Sequence, residues 1–250
     1  MNQVRLNAEQ FSTFVRTLSI FKDVCNDVDV RQGIVRQRTN DKFSVFQIDF
    51  NSVIPGLNLP LTDLKQKLEL FKVFTNAEVE ITAHDTYYTV GDQYTSIRTE
   101  NPDLEFIDNK FMPVDELNNV FSTNNEDIVL TTEIPEYISQ KIKPITGIFN
   151  VNSLKVLFEG DKATLSARTQ SKDQYAKLMG DITTEKVLNC STDIVSTPFI
   201  IDHDGVIKLT MHATENSDAA ISSNVFTANI ADINIMIYTR SNLIPEGEES

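Results

Sequence analysis

The chain has 250 residues and a mass of 28.2 kDa, which suits one large domain or two of roughly 100–125 residues, each burying its own core, and excludes a disulfide-stapled miniprotein. Lys and Arg number 22 against 36 Asp and Glu, a net charge of −14, so most of the surface repels nucleic acid and any contact with it must be local. Apolar residues at 40%, with 8 Gly and 8 Pro, mark a folded globular chain rather than a low-complexity one. No apolar run approaches the ~20 residues of a membrane span, and the start MNQVRLNAEQ lacks the basic and apolar regions of a signal peptide, so cytoplasmic residence is expected.

Helical periodicity begins at Asn7. Asn7 and Gln10 have capping-box spacing, and Phe11, Phe14, Leu18 and Phe21 recur at steps of three or four, opposite Gln10, Ser12, Thr13, Arg16 and Thr17. VDVRQGIVRQRT and FSVFQIDF alternate apolar with polar residues across the turn composition Thr39-Asn40-Asp41-Lys42 and read as a hairpin. PLTDLKQKLELFKVF then predicts a second helix, with Leu64, Leu68 and Phe71 inward and Lys65, Lys67 and Lys72 outward. EVEIT, YYTV and YTSIRT predict three short strands after it.

Residues from about Asn101 to Glu126 break this rhythm with two prolines and many Asn and Asp, the composition of a linker. Beyond it the order restarts with a strand, IVLTTEI, and a helical PEYISQKIKPITGIF, where Pro135 suits a first turn, Pro144 a kink, and Lys141 and Lys143 the polar side. SLKVLFEG and KATLSART predict strands about a Gly160-Asp161 turn, followed by YAKLMGDI. A weaker helical stretch, PFIIDHDGVIKL, containing Lys208, precedes the strand-like AAISS and DINIMIYTR. Both halves thus follow a helix, strands, helix, strands plan, a repeat of architecture without obvious sequence identity.

Charge is sorted along this plan. The polar faces of the second and third helices are mainly Lys, whereas Asp and Glu concentrate in loops, in the linker and in the ending PEGEES. Catalytic signatures are missing: no GxxxxGK[ST], GxSxG or HExxH occurs. Asp202, His203 and Asp204 form an acid-His-acid cluster that could bind a metal or move a proton, yet adjacent residues on a helix point different ways, and DHDG lacks the DxDxDG ladder and distal Glu of a calcium loop. His84 and His212 lie in strand-like runs without a Cys or His partner, and Cys25 and Cys190 stand alone, reduced core residues rather than zinc ligands. No metal or other cofactor is expected.

Element order, basic helix faces, acidic remainder and linker together resemble the DNA sliding clamps of the two-domain type, proliferating cell nuclear antigen and the T-even phage clamps. The resemblance covers nearly the whole chain. LPLTDLKQKLELF followed by EVEITAHDTYYTV looks like the clamp helix that leads into the closing strands of the first domain; DELNNVF and IVLTTEI resemble the interdomain connector and the strand after it; IYTRSNLIPEGEES resembles the eukaryotic clamp terminus.

The resemblance implies an α+β DNA-clamp fold of two similar domains, each with two helices packed on antiparallel sheets: an N-terminal clamp domain at 1–108, a connector at 109–126, a C-terminal clamp domain at 127–242 and an acidic tail at 243–250. A closed ring of twelve such helices at four per chain implies a homotrimer. The implied function is non-enzymatic: a processivity factor, encoded by a phage and acting in the host cytoplasm, that encircles duplex DNA without sequence readout and tethers a replicative DNA polymerase after a clamp-loader ATPase has opened it. Arg16, Lys65, Lys67, Lys72, Lys141, Lys143 and Lys208 would then face DNA phosphates. A pocket for partner peptides would take Leu117, Val120 and Phe121 from the connector, Val45 from the first domain, and Leu243, Ile244 and Pro245 from the C-terminal lip. Two non-enzymatic alternatives are a monomeric herpesvirus-type processivity factor, which holds DNA by direct affinity, and a β-rich virion or assembly protein.

Overall fold

The computed structural model describes residues 2–40, 42, 44–74, 76–84, 86–100, 111–120, 127–138, 140, 151–169, 175–195, 205–213 and 221–245. Its contacts divide the chain into two compact units, Met1–Pro113 with Asn229–Ile235, and Val114–Ala228 with Met236–Ser250.

The first unit opens with a strand, β1 (Asn2–Leu6), that local sequence did not announce. It is held by antiparallel pairing with a strand more than seventy positions away, Val4 opposite Ile81. Helix α1 (Ala8–Ser19) follows with the expected capping box: the Asn7 side chain accepts from the Gln10 N–H at 2.9 Å, and the Gln10 side chain accepts from the Asn7 N–H at 3.0 Å. Both bonds satisfy donors that the first helical turn leaves without partners. The apolar stripe Phe11, Phe14 and Leu18 is buried as expected.

The run VDVRQGIVRQRT is two strands rather than one. β2 (Val28–Arg31) and β3 (Ile34–Arg38) are joined at Gln32-Gly33, both with positive φ, 50° and 77°, which is the backbone that two-residue hairpins require. A Cβ on Gly33 would stand 2.4 Å from the Asn51 side-chain oxygen, so the turn has no room for a side chain. β4 (Ser44–Asp49) pairs with β3, and β5 (Leu59–Leu61) pairs with the other edge of β2. Pro60 is tolerated in β5 because β5 lies at the edge of this group.

Helix α2 (Leu64–Phe71) continues into a 3₁₀ turn at Lys72–Phe74. Its N-cap, Asp63, has φ 49° and accepts from the Gln66 N–H at 3.4 Å, and Leu64, Leu68, Phe71 and Phe74 are buried. Phe71 and Phe74 meet α1 at Phe11, with ring centroids 5.8 and 6.5 Å apart. β6 (Val79–Ala83), β7 (Tyr87–Gly91) and β8 (Ser96–Glu100) complete an antiparallel sheet in the order β1-β6-β7-β8.

The second unit begins with α3 (Val114–Val120) inside the expected connector. β9 (Asp127–Ile134), β12 (Ile207–Ala213) and β13 (Ile221–Ile230) pair antiparallel. β10 (Val151–Thr169) is one long strand where two were expected. The anticipated turn survives as a shift of register between Gly160, φ 68°, and Lys162. Its partner β11 (Tyr175–Val195) runs well beyond YAKLMGDI and also pairs with the end of β14 (Ile233–Pro245).

A correction concerns Lys208, which was expected on a helix. IKLTMHA is strand β12, with Ile207, Leu209, Met211 and Ala213 buried and Lys208 exposed. Its two-residue alternation satisfies β9 on one edge and β13 on the other, which a helix could not. Of the expected third helix at 135–149, residues 136–138 and 140 are helical, with the Ile138 N–H donating to the Pro135 carbonyl at 2.9 Å; residues 141–149 of it and the cluster at 202–204 lie outside the described residues. Among the described residues no helix is long and apolar enough to cross a membrane.

Candidate functional site

The cations predicted on the first two helices lie on the solvent side of an aromatic core. Arg16 is exposed in the last turn of α1, opposite the buried Phe14 and Leu18. Lys65 and Lys72 are exposed on and just after α2, and Lys67 is half-buried. Burial pushes the Lys67 ammonium below its ordinary value, and the Asp63 carboxylate partly offsets this. α2 presents them because Leu64, Leu68 and Phe71 occupy one stripe and turn the lysines between them outward.

An acid sits among these cations. Glu69 Oε1 accepts from Lys72 Nζ at 2.6 Å, a three-residue helical pair with both side chains about 60% exposed. That bond holds the Glu69 carboxyl below its usual range, and the charges of Lys72, Lys22 and Lys65 act in the same direction. Lys22, just past the end of α1, therefore belongs to the same patch. Sequence reading missed it because Lys22 follows Phe21, the last residue of the apolar stripe, and lies beyond the end of α1 at Ser19, although a lysine following an amphipathic helix was the available signal. Lys208 is elsewhere, on β12 with Glu133 as its cross-strand neighbour on β9. Lys141 and Lys143 are outside the described residues.

The expected peptide-pocket residues are of several kinds. Val45 is buried, 2% exposed, on the face of β4 that also carries Gln47. Gln47 accepts from Arg36 Nε at 2.7 Å. Phe111 lies in the same region, bridged to Gln37, with the Arg31 and Arg36 guanidinium carbons 4.7 and 5.7 Å from its ring centre. The next residue, Met112, donates its N–H to the Arg36 carbonyl at 2.7 Å. The chain leaving the first unit is thus pinned to β3 by cation–π contact and a backbone hydrogen bond.

In the second unit Leu117 is buried on α3, and Val120 ends that helix. Phe121 is outside the described residues. Leu243, Ile244 and Pro245, expected at the start of a tail, end strand β14 instead. They lie opposite Thr192, Ser191 and Cys190 of β11, with Leu243 and Ile244 half-buried and Pro245 exposed. Proline is acceptable there because a strand's last residue can forgo its N–H donor.

The residues weighed for chemistry have structural surroundings. His84 stacks on Tyr87 at 4.1 Å, and Arg98 lies over the Tyr87 ring at 3.9 Å. Cys25 is buried, and burial pushes the Cys190 thiol up, away from a reactive thiolate. Among the described residues no three His, Cys, Asp or Glu side chains are grouped to hold a metal.

No protein-family model matches the chain, and no curated protein does. Solved structures do. The chain is similar to proliferating cellular nuclear antigen from Entamoeba histolytica, with a TM-score of 0.60 at 11% identity, over 96% of this chain and 98% of that one. It is also similar to a putative DNA polymerase III beta subunit from Eubacterium rectale, with a TM-score of 0.56 at 11% identity, over 99% of this chain and 66% of that one. With so few identical residues the likeness is one of fold, and the fold is that of the sliding clamps.

Proposed function

We propose that this protein is a DNA sliding clamp, a non-enzymatic processivity factor that works as a homotrimeric ring around duplex DNA. The observation that carries the reading is the end-to-end fold likeness to a nuclear antigen chain of nearly equal extent, 96% of one chain against 98% of the other. A partial likeness would suit a shared module; one that spans both chains suits a shared architecture.

On this reading Arg16, Lys65, Lys67 and Lys72, with Lys141 and Lys143 from the second domain, face the phosphates and attract them without reading bases. Lys208 is left out because a strand with Glu133 alongside replaces the helix face it was expected on. The chain as a whole carries −14, so the rest of the surface repels DNA and retention comes from encirclement rather than affinity. Leu117, Val120, Phe121 and Val45, with Leu243, Ile244 and Pro245, form the pocket for peptide segments of a replicative polymerase and of the loader ATPase. The source is a phage, and the site of action is its host's cytoplasm.

Light scattering after size exclusion, over a dilution series, tests the assembly. A mass near 3 × 28.2 = 84.6 kDa is expected, together with retention on circular DNA and loss from linear DNA. A concentration-independent 28.2 kDa overturns the ring and leaves a monomeric factor that must hold DNA by steeply salt-dependent affinity.

A further inference from the structure

The cationic patch of the first unit contains its own acid. Glu69 lies three residues before Lys72, accepts a 2.6 Å hydrogen bond from its ammonium, and stands in the field of Lys22 and Lys65 as well. Both partners of the pair are about 60% exposed, so the bond is not a buried structural strut. A surface ion pair of this kind contributes little to folding. Its larger effect is on what the lysines offer to an outside anion, because an ammonium already bonded to a carboxylate has to give up that bond, or share it, before it meets a phosphate.

We infer that Glu69 is an electrostatic brake on DNA contact: it occupies Lys72 and lowers the potential of the Lys22, Lys65 and Lys72 patch, keeping phosphate binding weak. This rests on the proposed function and goes beyond it, naming a residue that limits affinity rather than one that supplies it. The chemistry suits a protein held on DNA by topology. Tight phosphate contacts at each step would slow movement along the duplex, whereas a carboxylate placed to compete for the same ammonium weakens each contact without removing the charge that attracts DNA. An all-lysine helix face would have lacked this moderation.

The test uses the purified full-length protein and a short fluorescein-labelled linear duplex, read by anisotropy in a salt series. Near 0.1 M salt, where the Debye length is about 10 Å, Glu69→Gln is expected to tighten binding about two- to fivefold, the scale of one exposed ion pair. The slope of log K against log salt is expected to steepen by about 0.9 for each lysine released to a phosphate. Glu159→Gln, at an exposed acid of β10 with no bond to Lys72, makes the same change of net charge and should leave binding nearly unchanged; tightening equal to that of Glu69→Gln would show a general charge effect and overturn the brake. Lys65→Glu serves as the control for the face itself. If Glu69→Gln binds as the parent does while Lys65→Glu binds more weakly, the brake is wrong and the DNA-facing reading stands. If Lys65→Glu also binds as the parent does, the DNA-facing reading fails and the brake fails with it.

Discussion

In the first unit the interior between helices and sheet is filled by aromatic rings: Phe11 against Phe71 and Phe74, Phe14 against Phe50 at 5.1 Å, and Phe21 stacked on Phe46 at 4.3 Å. The second unit, beside apolar residues such as Phe158 and Phe226, buries a polar layer. Thr192 Oγ1 donates to Ser241 Oγ at 2.8 Å, the Ser222 and Ser241 hydroxyls lie 2.8 Å apart, and Asn224 Nδ2 donates to Ser241 Oγ at 2.9 Å and to Thr239 Oγ1 at 3.4 Å. Ser222 and Asn224 are fully buried. Rings contribute by the area they remove from water and need only approximate placement. Hydroxyls and amides contribute only when each partner is aligned, so the second arrangement ties β11, β13 and β14 to one register at little gain in net stability.

That contrast is open to direct attack. The largest effect is expected from Phe14→Ala, which empties a site of 0% exposure; a loss of about 3–5 kcal/mol should appear as a lowered urea midpoint. A smaller loss of unfolding free energy, about 2 kcal/mol, is expected from Asn224→Ala, because Ser241 and Thr239 lose a buried donor. Its characteristic mark should be lost hydrogen-exchange protection along β13 and β14; protection unchanged there would mean that the polar layer does not set the register.

A third test uses pH and a buried phenol of the first unit. Burial pushes the Tyr88 phenol, 1% exposed, up to about 12, against about 10 in an unfolded chain. The folded state favours the neutral phenol, so this contribution is fully present below pH ~10 and is lost as pH rises toward 12. Thermal melts from neutral to alkaline pH should show a decline that Tyr88→Phe flattens. The smallest effect is expected from Asn7→Ala, which removes the side-chain acceptor of the α1 capping box for about 1 kcal/mol; an unchanged melting temperature would show that this cap does not hold the start of that helix.

Much of the first unit was legible in the sequence, because its signals are local. Asn7 and Gln10 lie three residues apart and bond each other directly, the Phe11, Phe14 and Leu18 spacing matches the helical turn, and EVEIT, YYTV and YTSIRT correspond to three observed strands. Arg16, Lys65 and Lys72 were readable as outward for the same reason: an apolar stripe fixes the opposite face. The Gln32-Gly33 turn was available too, but the unbroken alternation on either side masked it.

Elsewhere the deciding partners are far apart in the chain. β1 exists because Asn2–Leu6 meet Val79–Ala83. Lys208 lies on a strand because β9 and β13 flank its segment, and Leu243–Pro245 remain extended because Cys190–Thr192 pair with them. Lys22 joins the cationic patch only once α1 and α2 are packed through Phe11 and Phe71 and bring it near Glu69. The sequence by itself determined periodicity, caps and the outward side of the helices, since each is set by neighbours within a few positions. Only the tertiary structure decided strand partners, register and which charges share a face, since the free energy of those choices arises where distant segments leave water together.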